Sequence, residues 1–219
     1  MSGKIIVIEG GDASGKAVQS KLLADRLRAE GHDIECLDFP QYEENQTGAL
    51  LKECLDGEHG GFMQVDARLA SILYATDRRE SLPKIQTWLN QGKTVILDRY
   101  STANLLHQGA KIENAERRQA VLNYIYQLEH VIMELPKPDL IVYLDVPATV
   151  RLELLRTTRK EHDIAETDTN HQAAVDTIIP DVMAMYTQTI RIDCLADGEL
   201  RSKESIAEEV YGVVKPTLE

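Results

Sequence analysis

Three observations predict an α/β fold, a five-stranded parallel sheet with helices on both faces. Apolar runs of strand length recur along the chain with helical patterns between them, an alternation that produces a parallel sheet. Leu140-Ile141-Val142-Tyr143-Leu144 is almost continuously apolar, as a strand covered on both faces should be. The first apolar run, Ile5-Ile6-Val7-Ile8, passes at Glu9 into Gly10-Gly11-Asp12-Ala13-Ser14-Gly15-Lys16, a strand feeding a phosphate loop.

In chain order, the strands are expected at Lys4 to Glu9, Asp33 to Leu37, Thr94 to Asp98, Asp139 to Asp145 and Thr189 to Asp193. The glycines of the G-x-x-x-x-G-K loop let backbone N–H groups wrap a polyphosphate, Lys16 reaches its outer phosphates, and the following helix (Val18, Leu22, Leu23, Leu27) adds its positive N-terminal end. The loop normally continues with Ser or Thr, whose hydroxyl holds Mg²⁺; here Ala17 and Val18 follow. Phosphate binding is thus better supported than catalysis. Further helices are read from Ala67 to Leu82, ending or bending before Pro83, from Ala115 to Leu135, stopping at Pro136, and from Ser202 to Val214, before Pro216.

The 219 residues, 43% of them hydrophobic, suffice for one domain spanning 1–219. Lys and Arg number 24 against 36 Asp and Glu, a formal charge of −12 without a basic block, which argues against long nucleic acid or an anionic membrane as partner. The chain opens on neither a cationic segment nor a long apolar one, so a cytoplasmic protein is expected. Cys36, Cys54 and Cys194 lie far apart without C-x-x-C spacing and are expected to be reduced residues in or near the core.

Open parallel sheets bind ligands beyond the carboxyl ends of their strands. After the second strand comes Asp38-Phe39-Pro40-Gln41-Tyr42, after the third Asp98-Arg99-Tyr100, after the fourth Asp145-Val146-Pro147. Asp98 is placed to act on metal-bound water as the metal residue. The Asp145 segment reads better as a turn.

Read together, these pieces resemble the thymidylate kinase family, P-loop enzymes that phosphorylate dTMP with ATP. The resemblance is carried by E-G-x-D-x-S-G-K (Glu9 to Lys16), F-P-x-Y with T-G-x-L-L (Phe39 to Leu51), G-E-x-G (Gly57 to Gly60), a tyrosine followed by D-R (Tyr74, Asp77, Arg78), D-R-Y with H-Q-G-A-K (Asp98 to Lys111), Y-L-D-V-P (Tyr143 to Pro147) and D-I-x-E-x-D (Asp163 to Asp168). It implies a P-loop NTPase-like three-layer sandwich with a short lid, Mg²⁺ and ATP as cofactors, and a homodimer. Residue by residue, it implies that the loop from Gly10 through Gly11, Asp12, Ala13, Ser14, Gly15 and Lys16 to Ala17 and Val18 binds ATP, with Gly10, Gly15 and Lys16 on its phosphates. Asp12 resembles the aspartate that approaches the acceptor sugar and metal, and an acid inside an anion-binding loop calls for a cation or hydroxyl partner. Phe39 and Tyr42 resemble the acceptor wall, Tyr74 the aromatic stacked on the thymine ring, Arg78 the arginine that reads the base, and Asn104 a polar contact to it. His107 and Gln108 fall in the same acceptor region. Tyr74 and Arg78, at i and i+4, share a helix face, and Arg99 suits a phosphate dianion as a planar bidentate donor.

The stretch 151–170 reads as the lid, with Arg151, Arg156, Arg159 and Lys160 ahead of an acidic segment. With no basic side chain at Ala13 or Ser14, the resemblance places the catalytic arginine in the lid, at Arg156 or Arg159. The chain departs from the family pattern at Ala17, Val18, Gln41, Ala103, His107 and Ala165. Two alternatives therefore stand beside the dTMP kinase: a related nucleotide-binding protein with weak or no catalysis, and a sibling kinase with another small acceptor.

Overall fold

The computed structural model describes residues 3–158 and 168–218, with the backbone alone at 156–158. The five expected apolar runs are its central strands: β1 (Lys4–Gly10), β2 (Ile34–Asp38), β3 (Thr94–Asp98), β4 (Leu140–Asp145) and β5 (Thr189–Asp193). They form one parallel sheet in the order β2-β3-β1-β4-β5. Along β1, Ile5 and Val7 enter one core and Ile6 and Ile8 the other, the period of two that a pleated strand imposes. The first core lies under α3 (Ala67–Asn90), α4 (Ser101–Gly109), α5 (Ala115–Gln127) and α7 (Thr169–Met183), and the second under α1 (Lys16–Ala29) and α8 (Lys203–Leu218). The result is the expected three-layer sandwich. A satellite cluster of Leu51, Cys54, Leu55, Phe62 and Ala70 joins α2 (Gln46–Leu55) to α3. α6 (Ala148–Thr158) follows β4.

The prolines do not end the helices as expected. α3 runs unbroken through Pro83 to Asn90, and α8 includes Pro216. Each proline removes one i→i−4 bond, and packing outweighs that loss: Leu82 and Ile85, flanking Pro83, are wholly buried on the first core. The helix expected over Ala115 to Leu135 instead leaves α geometry after Gln127 and continues as a π-helical turn, Leu128–Ile132. Leu128 and Glu129 are both buried there. Cys36 is also corrected: it is exposed on the edge strand β2, while Cys54 and Cys194 are buried and all three thiols are free. The sequence reading passed over a small hairpin, β6 (Leu195–Ala196) with β7 (Glu199–Leu200). Its Asp197-Gly198 turn has φ of 53° and 82°, the positive pair that makes Asp-Gly a hairpin signal.

Candidate active site

The loop between β1 and α1 takes its shape from residues that tolerate left-handed backbone. Gly15 has φ 88° and Ala13 φ 60°, which turns the chain into the N-terminus of α1. Gly11 meets a different constraint, because a Cβ there would lie 2.0 Å from Arg151 Nη1. Arg151, the first residue of the expected lid, is buried across the loop. It donates from Nε to Val146 O (2.8 Å), from Nη1 to Gln172 Oε1 (2.7 Å) and from Nη2 to Asp176. Lys16 is buried and donates from Nζ to Gly11 O at 2.8 Å. Burial and the Arg99 charge push this lysine down to about 8, against Asp12, Asp98 and Glu9.

Arg99 follows β3 with φ 64°, a costly conformation for a side-chain-bearing residue that persists where the surroundings hold it. Its Nη2 donates to Asp12 Oδ1, and Nη1 lies 3.9 Å from Glu9 Oε1. Burial acts to raise the Asp12 carboxyl, yet Arg99 and Lys16 together hold it well below the usual carboxylate range. Burial opposes the Arg99 charge, but Asp12, Glu9 and Asp98 keep it firmly ionised. Glu9, fully buried, accepts from Gly10 N at 3.0 Å and from Thr102 Oγ1 at 2.5 Å. Asp98 stands opposite Asp38 in the β2–β3 register; burial pushes its carboxyl up, with Lys16 and Arg99 opposing.

Beside the loop opens the rest of a cleft of about 430 Å³. Asp77, buried on α3, pins the segment after β2 by accepting from Gln41 N (3.2 Å) and Asn45 Nδ2 (2.8 Å), which brings Phe39 and Tyr42 to the wall. Tyr74 and Arg78 line the cleft from α3, as their i, i+4 spacing predicts. Phe62 packs against Tyr74 with ring centroids 6.1 Å apart. Arg78 shares its guanidinium with Glu129: Nε donates to Oε2 at 3.0 Å and Nη2 to Oε1, and both residues are buried. Asn104 Nδ2 joins them, donating to Glu129 Oε1 at 2.6 Å. Asn104 Oδ1 and Gln108 Oε1 are buried acceptors without a hydrogen-bond partner among the described residues.

Of the residues expected at the site, Asp12, Ala13, Gly15, Lys16, Ala17, Val18, Phe39, Tyr42, Tyr74, Arg78, Asp98, Arg99, Asn104, His107 and Gln108 share the cleft. Gly10, Gly11 and Ser14 are buried within the loop and are not part of the wall. The side chain of Arg156 and all of Arg159 lie outside the described residues; the backbone of Arg156 belongs to α6, next to Leu155, which lines the cleft. Sequence reasoning missed Glu129, His171, Phe62 and Met63 as site residues and named Lys111 only as part of a motif. Burial pushes the Lys111 amine down to about 8 where it stands 5.7 Å over the Phe62 ring. Lys111 was legible in H-Q-G-A-K, whereas nothing local marks His171.

A parallel sheet with a glycine-rich loop at its carboxyl edge, opening on an arginine-bearing aromatic cleft, is the arrangement of a P-loop kinase. The thymidylate kinase family model matches residues 8–200, and the chain belongs to that family. It is 34% identical over 153 residues to the thymidylate kinase of Mycobacterium tuberculosis, covering 69% of this chain and 70% of that protein. It is 29% identical over 227 residues to the probable thymidylate kinase of Pyrococcus abyssi, covering 100% and 98%. Among solved structures, a thymidylate kinase from Candida albicans superposes with TM-score 0.77 at 23% identity, over 100% of this chain and 94% of that one, a likeness of fold. Among the described residues, no helix is long and apolar enough to cross a membrane.

Proposed function

We propose that the chain transfers the γ-phosphoryl group of ATP to a phosphate oxygen of dTMP, giving dTDP and ADP. The observation that carries this reading is the continuity of one cleft, from Lys16 in the phosphate loop past the Asp12–Arg99 pair to an aromatic chamber. Buried acceptors without a partner are costly, and at Asn104 and Gln108 they offer a pyrimidine N–H its partner. Phe39, Tyr42 and Tyr74 supply apolar walls for a flat base.

In this reading Gly15, Lys16 and the N-terminus of α1 hold the ATP phosphates, and Arg99, aligned by Asp12, grips the acceptor phosphate. A P–O bond forms from dTMP to the γ-phosphorus as the bond to the ADP oxygen breaks, with both ends held in line. Asp98 beside Asp38, without a hydroxyl at Ala17, is a donor set that fits a Mg²⁺ ion keeping most of its waters. When bound, the ion supplies neutralising charge on the phosphates. The family resemblance supports a single domain over 1–219, a lid over 151–170 whose Arg156 or Arg159 meets the transferring group, a homodimer and a cytoplasmic setting. A slower, binding-dominated role is favoured only by Ala17, which lines the cleft where the hydroxyl is missing. ADP release measured with dTMP, dUMP, dCMP, dGMP and no acceptor tests the proposal. Fastest turnover with dTMP is expected; equal rates with dGMP would refute the acceptor assignment, and nucleotide binding without turnover would favour the slower reading.

A further inference from the structure

Resting on that reading, the first turn of α7 encloses the Asp12–Arg99 pair in a closed circuit of hydrogen bonds. Gln172 Nε2 donates to Asp12 Oδ2 at 3.1 Å, and Arg99 Nη2 donates to the other carboxylate oxygen. Arg99 Nη1 lies 3.4 Å from His107 Nε2, and His107 Nδ1 lies 3.3 Å from His171 Nε2. The path therefore leaves α7 at Gln172 and returns to it at the neighbouring residue. The two imidazoles are inclined by 26° with centroids 5.5 Å apart, which with that nitrogen separation sets them edge to edge.

Donor and acceptor roles follow from chemistry. A guanidinium only donates, so His107 must accept at Nε2 and carry its proton on Nδ1. It then donates to His171, which must accept at Nε2 and carry its own proton on Nδ1. Burial, aided by the Arg99 charge, pushes His107 down to about 3 against Asp12, while burial and Lys111 lower His171 against Asp168 and Asp12. Both rings are thus kept in the neutral form that the circuit requires. At the other end Asp168 caps α7, accepting from Asn170 N and His171 N at 3.0 Å, so the turn that closes the circuit is itself fixed.

We propose that His107 and His171 are positioning residues that aim Arg99 at the acceptor phosphate through a one-way relay of hydrogen bonds, Arg99 to His107 to His171. Asp12 holds one guanidinium nitrogen and the relay holds the other, so the arginine presents a set orientation to an incoming dianion, as bidentate recognition demands. Neither imidazole acts on the reacting atoms.

Two measurements test this. Long-range ¹H–¹⁵N spectra of the free protein at neutral pH read each tautomer, and both rings are expected neutral with the proton on Nδ1; an Nε2–H tautomer at either would overturn the relay. Titration calorimetry of folded variants, verified by circular dichroism, reads its consequence. His107→Phe should weaken dTMP binding about tenfold, the effect of one hydrogen bond to a charged group, while ATP binding stays as in the wild type. His107→Gln, which accepts and donates as the neutral imidazole does, should restore most of the loss. His171→Phe should resemble His107→Phe, and the double variant should be little worse than either. Wild-type dTMP affinity in His107→Phe, a Gln variant as weak as Phe, or fully additive losses would each overturn the proposal. A wild type that fails to bind dTMP would instead refute the acceptor assignment, and the tautomers would still decide the relay.

Discussion

Glu129→Leu removes the carboxylate that holds both Arg78 and Asn104. Arg78 is 2% exposed and Glu129 not at all, so the substitution leaves a guanidinium in the protein interior with two of its donors unmatched. Breaking a buried pair in this way costs about 3–5 kcal/mol, because the surviving charge keeps its desolvation penalty and loses its partner. Asn104 Nδ2 loses its 2.6 Å acceptor as well, and among the described residues keeps Ser71 O at 3.1 Å, which places the expected loss toward the upper end. For a chain of this length each kcal/mol lowers Tm by about 2–4 °C, so a fall of about 6–20 °C is expected. Urea unfolding with an unchanged m-value measures the free energy, and calorimetry the Tm. The double variant Arg78→Met with Glu129→Leu replaces the pair with apolar groups and should recover most of the stability. It should not recover dTMP binding, since Arg78 lines the cleft. A loss below about 1 kcal/mol in Glu129→Leu alone would show that the pair does not carry a buried charge, and the reasoning about this wall would fail.

Ala17→Thr should raise kcat with dTMP while changing ATP affinity little, since amides and Lys16 dominate ground-state phosphate binding and metal ligation matters most as charge shifts in transfer. Steady-state kinetics of this variant and of its combination with Val18→Thr check it; a wild type already at about 1–100 per second that neither change improves would refute the claim. The Lys16 amine, lowered to about 8 in the free protein, loses its charge as pH rises past that value, whereas a bound polyphosphate favours the charged form. ATP affinity should therefore fall between about pH 8 and 10 and binding in that window should take up a proton, read by calorimetry in buffers of different ionisation enthalpy; affinity flat to pH 10 would contradict it.

What the sequence made legible was local. The phosphate loop could be read because glycine spacing, a preceding β-branched run and a following helix state a backbone geometry within a few residues. Tyr74 and Arg78 could be paired because a helix fixes which side chains share a face, and the strand ends could be searched because a parallel sheet gathers them. The prolines misled for the opposite reason: the cost of a missing N–H is local, but Leu82 and Ile85 answer it with burial against a sheet that no short window reveals. Glu129 was hidden because its partner is distant in the chain. In an uninterrupted α-helix continuing from Ile125, Glu129 would share the buried face only as an acid among apolar residues, a pattern that gives no reason to expect it inside. Its reason is Arg78, 51 residues away in the chain.

The closed circuit around Arg99 is harder still to foresee, because its members gain meaning only in combination. Gln172 and Asp12 are 160 residues apart and His107 and His171 are 64 apart; Gln172, His107 and His171 each have, alone, an ordinary reading as a polar group on a helix, and Asp12 alone calls only for some cation or hydroxyl. The departure at His107 from the family pattern, together with those at Gln41 and Ala103, suggested a change of acceptor. Set against His171 it has a second sense, since a neutral imidazole accepts at one ring nitrogen and donates at the other, and His107 meets Arg99 with Nε2 and His171 with Nδ1. The loss at Ala17 has no such partner among the described residues, so on the proposed reading the two departures carry different consequences: one would change how Arg99 is held, and the other would lower the number of ligands offered to a metal.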